Sequence, residues 1–355
     1  KKILQTMIGK IKLLNYASLF FLIFISLIVN SYIFNNLLII NIFLTFSLIS
    51  LLTTKYGLKV VKKLNLFQSI RNDGPSIHFN KKNTPTMGGI FIIFPFLLLL
   101  LIIDFNIDSN GLSLLFWCTV GFLIIGFLDD YLSIKNKINT GLKSNEKFIL
   151  QASISVLFII FETQNNNINP LINISNNWGI NTNIIVFPIY FLALVGLSNA
   201  VNLTDGLDGL ASGCSSIVFF GLGTEIFINN QKEFMIYGLI AYAMSGLCIG
   251  FLKYNKYPAK IFMGDTGSLA IGAILGSISI LTSSFYTLFV FSGIFVIEAL
   301  SVMIQVGFFK ITKKLFKKGK RIFLMTPIHH HFELKGNKEE KIVENFWKAN
   351  ILLIV

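Results

Sequence analysis

Two aspartates three residues apart carry the first chemical signal in this chain: Asp205 and Asp208, in Asn199-Ala-Val-Asn202-Leu-Thr-Asp205-Gly206-Leu-Asp208-Gly209. An i,i+3 spacing places both carboxylates on one face of a helical turn. Like charges that close repel unless a cation or a lysine offsets them. Asp265 lies in Phe262-Met-Gly264-Asp265-Thr-Gly267-Ser268, just ahead of an apolar run. Backbone N–H groups at a helix start suit phosphate oxygens, and a carboxylate there can share a metal with that phosphate. Asp129 and Asp130 close another apolar run. Neighbours on a helix face different ways, so one of the two points at the reaction and the other orients it or binds a lysine.

His329-His330-His331 follows Pro327-Ile328. Three sequential imidazoles cannot all ligate one metal from a regular helix; they read as hydrogen-bond donors to phosphate or sugar, carried on a loop. Lys81, Lys82 and Lys147 supply cations nearby in the pattern. A single aspartate at a helix end is matched by an ordinary cap or a solvated terminus. Five from three connections, beside lysines and histidines, describe a site for an anionic substrate with a hard metal ion. Glu298 and Gln305 lie seven apart on one helix face, Gln305 toward the site and Glu298 as a buried helix–helix hydrogen bond. His78 reads as a loop residue.

The elements that must position these groups are apolar. Of 355 residues, 54% are hydrophobic and only 13% charged, with a mean hydropathy of +0.70. That excludes a disordered chain, a coiled coil and an ordinary cytosolic enzyme. The net charge of +13 alone would suit a nucleic-acid binder, but the low total charge and the Leu/Ile/Phe content exclude nucleic acid as a partner. An all-α, polytopic integral membrane protein of about ten transmembrane helices is expected, with its active site in the cytoplasmic loops. The spans fall near 37–54, 88–104, 112–128, 148–162, 183–200, 212–229, 234–252, 268–282, 286–309 and 344–355. Residues 1–36 form a separate basic and apolar segment, either an extra span or an interfacial helix, and 37–355 form a single transmembrane domain. Cys118, Cys214 and Cys248 have neither disulfide nor zinc spacing and read as core residues.

Sidedness follows from the basic residues. Segments 55–87, 129–147, 253–267 and 310–348 hold 25 of the 30 lysines and arginines, and the alternate loops hold one, Lys232. Under the positive-inside rule the rich segments are cytoplasmic. All five aspartates then share that face. Much of the charge, notably the Lys310–Arg321 run, serves topology and attraction to anionic membrane lipid.

These motifs resemble a known family. Arg71-Asn-Asp73-Gly74-Pro75 through His78, Lys81-Lys82-Asn83-Thr84-Pro85-Thr86-Met87-Gly88-Gly89 is similar to the signature of bacterial phospho-N-acetylmuramoyl-pentapeptide transferases (translocase I, the MraY family). So are Gly126-Phe-Leu-Asp129-Asp130-Tyr131, Asn199 to Gly209, Tyr254-Asn255 to Asp265, and Pro327 to Gly336. The match runs in order from about residue 37 to 350. It departs at Asn83, where the family usually has Gly, in a longer N-terminal apolar run and in a short last span.

The resemblance implies a ten-span fold and transfer of phospho-MurNAc-pentapeptide from UDP-MurNAc-pentapeptide to undecaprenyl phosphate, giving lipid I and UMP in peptidoglycan synthesis. It implies Mg²⁺ as cofactor, with Asp265 as its ligand, and a bacterial cytoplasmic (inner) membrane location. Asp129 corresponds to the base or lipid-phosphate positioner. Asp130, Asp205, Asp208, Lys147, His329, His330 and His331 correspond to the catalytic cleft. Lys81, Thr86, Asn202, Asn255, Phe262 and Gln305 correspond to substrate-binding positions, with Phe262 able to stack on uracil. A homodimer is implied by the resemblance and by no residue pattern of this chain.

Two other readings compete. A related polyprenyl-phosphate transferase using UDP-GlcNAc shares the Asp-Asp and Gly-Asp-Thr-Gly patterns, but the Pro-Thr-Met-Gly-Gly loop and the histidine run favour the muramoyl branch. A secondary transporter would place charge near the midplane in repeated halves. Here the acids gather at one face, and no internal repeat is visible.

Overall fold

The computed structural model describes residues 19–20, 23–29, 31–33, 37–67, 84–107, 109–136, 141–165, 171–175, 178–181, 186–229 and 231–354. Lys81, Lys82 and His78 lie outside the described residues. The chain is an all-α polytopic membrane protein. Its helices are α1 (Leu38–Lys63), α2 (Ile90–Ile107), α3 (Asn110–Asn136), α4 (Ser144–Asn165), α5 (Val186–Thr204), α6 (Leu210–Ile228), α7 (Met235–Asn255), α8 (Asp265–Leu281), α9 (Phe285–Phe291), α10 (Gly293–Phe316), α11 (Ile328–Leu334) and α12 (Glu339–Leu352). One short antiparallel hairpin, β1 (Leu171–Ser175) with β2 (Trp178–Asn181), joins α4 to α5 where a loop is expected from sequence.

Among the described residues, seven helices are long and apolar enough to cross a membrane: α1, α2, α3, α5, α6, the helix over Lys232–Asn255 that contains α7, and α10. The three other expected spans coincide with α4, α8 and α12. At about 1.5 Å per residue, the 26 residues of α1 reach about 39 Å. That exceeds the roughly 30 Å of hydrocarbon, so its last turns carry Lys59, Lys62 and Lys63 beyond it. α8 has only 17 residues, and every one from Thr266 to Leu281 is buried. It is the central post of the bundle, surrounded by protein and not by lipid.

Close packing against α8 depends on small residues, as in many membrane bundles. Gly272 and Gly276, one turn apart, face α5. A Cβ on Gly272 would lie 2.4 Å from the Ser198 Cα, and one on Gly276 2.6 Å from the Ala193 carbonyl oxygen. α5 meets them with a π-helical turn at Leu192–Gly196.

Three expectations are corrected. The span expected at 286–309 is two helices, α9 and α10, parted at Ser292-Gly293. A Ser–Gly pair is a usual place for a helix to break. The expected helical turn at Asp205–Asp208 is a set of turns, because α5 stops at Thr204 and Gly209 takes φ +83°. The histidine run lies not on a loop but on the short helix α11. In the N-terminal segment the described residues are helical. Leu19, Ile23 and Leu27 are buried at i, i+4, i+8, and the Phe20 ring lies 6.2 Å from that of Phe43 on α1.

Candidate active site

α8 begins at Asp265, and four connections converge on that residue. From the first turn of α4, Lys147 Nζ pairs with Asp265 Oδ2. From the last turns of α5, Asn202 Nδ2 donates to Asp265 Oδ1 at 2.6 Å and to Ser268 Oγ at 2.9 Å. A second contact one turn away locks the same helices: Asn199 Nδ2 donates to Gln151 Oε1 at 2.7 Å. Gln151 follows Lys147 by four residues and Asn199 precedes Asn202 by three, so each pair shares one helix face.

The neighbouring carboxylates of α3 divide as their helix geometry demands. Asp129 Oδ1 lies 3.7 Å from Lys147 Nζ and accepts the Leu142 N–H at 3.1 Å. Asp130 turns inward and caps α8 from another helix. It accepts the N–H of Asp265 at 3.1 Å, that of Thr266 at 2.9 Å, and the Thr266 hydroxyl at 2.6 Å. Such caps satisfy the free donors of a helix start. The approach depends on Gly126, one turn earlier on α3: a Cβ there would lie 2.1 Å from the Asp265 carbonyl oxygen.

Asp205 accepts a hydrogen bond from the Gly264 N–H. Burial, then the charges of Asp265 and Asp130, hold its carboxyl well above the usual carboxylate range. For Lys147, burial pulls the pKa down, but Asp265 and Asp129 outweigh it and the net shift is upward. The cluster therefore carries more acid than one lysine neutralises.

The remaining expected site residues hold loops in place. Asp208 Oδ2 accepts the Ala259 N–H at 2.8 Å, and its own N–H donates to Glu339 Oε1 at 2.8 Å. Asn255 accepts from Ser212 Oγ at 2.7 Å and donates to the Ile261 carbonyl at 3.0 Å, so both ends of its amide brace the segment ahead of Asp265. Gln305 does the same for the chain after α10: Nε2 donates to the Phe323 carbonyl at 2.8 Å, and Oε1 accepts the N–H groups of Ile322 and Phe323 at 2.9 and 3.0 Å. Half-buried Phe262 bridges two segments through its backbone, donating to Pro85 O and accepting from Gly88 N, each at 2.8 Å. Thr86 is buried beside Gly264, its hydroxyl without a protein hydrogen-bond partner among the described residues.

The three imidazoles part company because successive residues on α11 point about 100° apart. His329 is fully buried with Nδ1 3.1 Å from Glu298 Oε2. His330 Nδ1 lies 2.6 Å from Glu333 Oε2, and His331 Nδ1 accepts the Leu324 N–H at 3.1 Å. Sequence reasoning missed Gln151, Thr266 and Glu339. Thr266 and Ser268 were visible inside the quoted motif, but nothing in a Glu at the start of the last helix marks it as a partner for Asp208.

Comparison with known proteins shows the family. Residues 112–283 match the family described as Glycosyl transferase family 4. Residues 81–93 match the phospho-N-acetylmuramoyl-pentapeptide-transferase signature 1. A protein named phospho-N-acetylmuramoyl-pentapeptide-transferase from Prochlorococcus marinus subsp. pastoris is 78% identical over 349 residues, 98% of this chain and 97% of the relative. The chain belongs to the phospho-N-acetylmuramoyl-pentapeptide-transferase family. A more distant member, from Prochlorococcus marinus strain MIT 9313, is 38% identical over 317 residues, covering 89% of this chain and 85% of that protein. The family match over 112–283 runs from the first turn of α3 through α8 and takes in Asp130, Lys147 and Asn202 beside Asp265.

The donor set around Asp265 suits a hard cation. It offers carboxylate and amide oxygens and no thiolate. Among the described residues no three acidic, His or Cys side chains form a closed cage. Mg²⁺ needs none, since it binds through one or two carboxylates and keeps water and phosphate ligands.

Proposed function

We infer that this chain is a phosphoglycosyl transferase of peptidoglycan synthesis that moves phospho-MurNAc-pentapeptide from UDP-MurNAc-pentapeptide to undecaprenyl phosphate. The observation that carries the reading is the convergence of Asp129, Lys147, Asn202 and Asp205 on Asp265 where four apolar helices end, in a member of this family. The site lies in the bacterial cytoplasmic membrane and faces the cytoplasm, the side to which the basic loops assign it.

An oxygen of the lipid phosphate attacks the phosphorus that bears the sugar. The bond from that phosphorus to the bridging oxygen breaks, and UMP leaves with the electron pair. Both reactants are anions, so the protein's task is neutralisation and alignment. Lys147 supplies a fixed cation, and Asn202, itself braced on Ser268, holds the Asp265 carboxylate in one orientation. Asp265, with Asp205 and Asp129 near it, would hold Mg²⁺, which supplies positive charge to the diphosphate oxygens. Asp129 keeps part of its side chain exposed, suited to positioning the lipid phosphate or accepting its remaining proton. Phe262 stacks on the uracil ring.

The deciding assay measures UMP release by purified protein with UDP-MurNAc-pentapeptide and undecaprenyl phosphate, with and without Mg²⁺. Metal-dependent release is expected. Turnover of UDP-GlcNAc alone, or solute flux without UMP, would overturn the reading.

A further inference from the structure

Glu298 of α10 and His329 of α11 are both completely buried. A carboxylate in such a place is costly unless a partner offsets it. Its neighbour is the imidazole, Nδ1 3.1 Å from Oε2, a close approach outside hydrogen-bond geometry. The opposite edge of the ring fills a slot that exists only because residue 206 is glycine. A Cβ on Gly206 would lie 2.4 Å from His329 Nε2 and 2.8 Å from its Cε1. Nε2 has no hydrogen-bond partner among the described residues. The ring is therefore clamped between Glu298 and the residue next to Asp205. It also lies against His330, with ring centroids 4.1 Å apart.

We propose that Glu298 is a positioning residue that acts through His329: it grips Nδ1, and the gripped ring sets the seat of the Asp205–Gly209 loop and the direction of His330. His329 then touches no substrate, and the histidine run divides into one internal strut and two outward imidazoles. The proposal rests on the transferase reading and assigns a role inside it.

Amide substitutions distinguish the two edges of the ring, because the Asn amide nitrogen falls near Nδ1 and the Gln amide nitrogen near Nε2. The full-length protein is assayed for UMP release as His329→Asn, His329→Gln, His329→Ala, Glu298→Gln and Glu298→Ala, with thermal unfolding of each. His329→Asn and Glu298→Gln are expected to stay within about tenfold of the parent. His329→Gln, His329→Ala and Glu298→Ala lose about 10²-fold in kcat, the scale of a 1 Å misplacement, with the KM for the nucleotide sugar nearly unchanged. A purely architectural role would lower unfolding temperature and raise KM together, and that result overturns the proposal. So does the reverse order, with His329→Gln active and His329→Asn inactive, which would put Nε2 on substrate. Equal loss in both amide variants of a folded protein also overturns it. If the parent releases no UMP, the transferase reading itself fails, and the positioning role falls with it.

Discussion

Lys147 in the first turn of α4 holds Asp265, the first residue of α8, in an ion pair that spans 118 positions of sequence. The lysine occupies one oxygen of the carboxylate and Asn202 the other. In the proposed reaction, a cation arriving with the diphosphate would share Asp265 with them. Removing either partner of the pair therefore has opposite consequences for stability and for metal use.

Lys147→Met leaves three acidic groups with no cation. Breaking a mostly buried pair costs about 3 kcal/mol, so a lower unfolding temperature is expected in chelator. Millimolar Mg²⁺ should restore more of it than it adds to the parent. Asp265→Asn does the reverse: it folds, loses metal-dependent UMP release, and gains little from Mg²⁺ in a thermal melt. Near-normal turnover in Asp265→Asn would remove Asp265 from the metal site.

Asp130 is expected to behave as a cap and not as a reacting group. Asp130→Ala deprives the start of α8 of its acceptors, at about 2 kcal/mol, and lets Asp265 shift. A loss near 10²-fold in kcat should accompany the lower melting temperature. Asp130→Asn, which keeps one acceptor, should fall between Ala and the parent in both measurements.

Asp205 gives a pH signature. Its folded carboxyl is raised, so the unfolded chain ionises first as pH climbs, and the folded state loses stability through that window. Asp205→Asn keeps an acceptor for the Gly264 N–H and cannot ionise. It should melt higher than the parent at neutral pH, and the difference should vanish as pH falls below the ordinary Asp range of about 4. An unchanged difference across that range would show that the carboxyl is not perturbed.

Glu339 tests the anchoring of the acidic loop. Glu339→Ala leaves the buried Asp208 N–H unsatisfied, at about 1–3 kcal/mol, and should lower both stability and turnover. Glu339→Gln retains the acceptor and should preserve both. Equal damage from the two substitutions would mean that the charge matters and the hydrogen bond does not.

Much of the architecture was legible in the sequence because membrane insertion leaves a strong trace. Long apolar runs and the one-sided lysines marked where the helices lie and which ends share a face. Asp129 and Asp130 were rightly expected to diverge, since neighbours on a helix always do. The division of labour within the site was not legible. Asp208 is expected in the catalytic cleft and Asn255 and Gln305 at the substrate, and each also braces a neighbouring loop through a backbone group. Which partner a polar side chain meets is set by the tertiary fold, at separations from 6 residues for Asn255 and Ile261 to 131 for Asp208 and Glu339. The break at Ser292-Gly293 was hidden by the apolar residues on both sides of it.

The bond between the Asp208 N–H and Glu339 joins positions 131 residues apart. α12 adds to it, with Asn350 donating to the Cys214 carbonyl on α6 and Trp347 lying over Gly213. During synthesis α5 and α6 enter the bilayer long before α12 leaves the ribosome. Until then the acidic loop lacks its bond to Glu339 and rests on the Ala259 N–H and the ring of His329. The seat of the acidic loop is thus completed by a helix that follows it by more than a hundred residues, and not by its own stretch of chain.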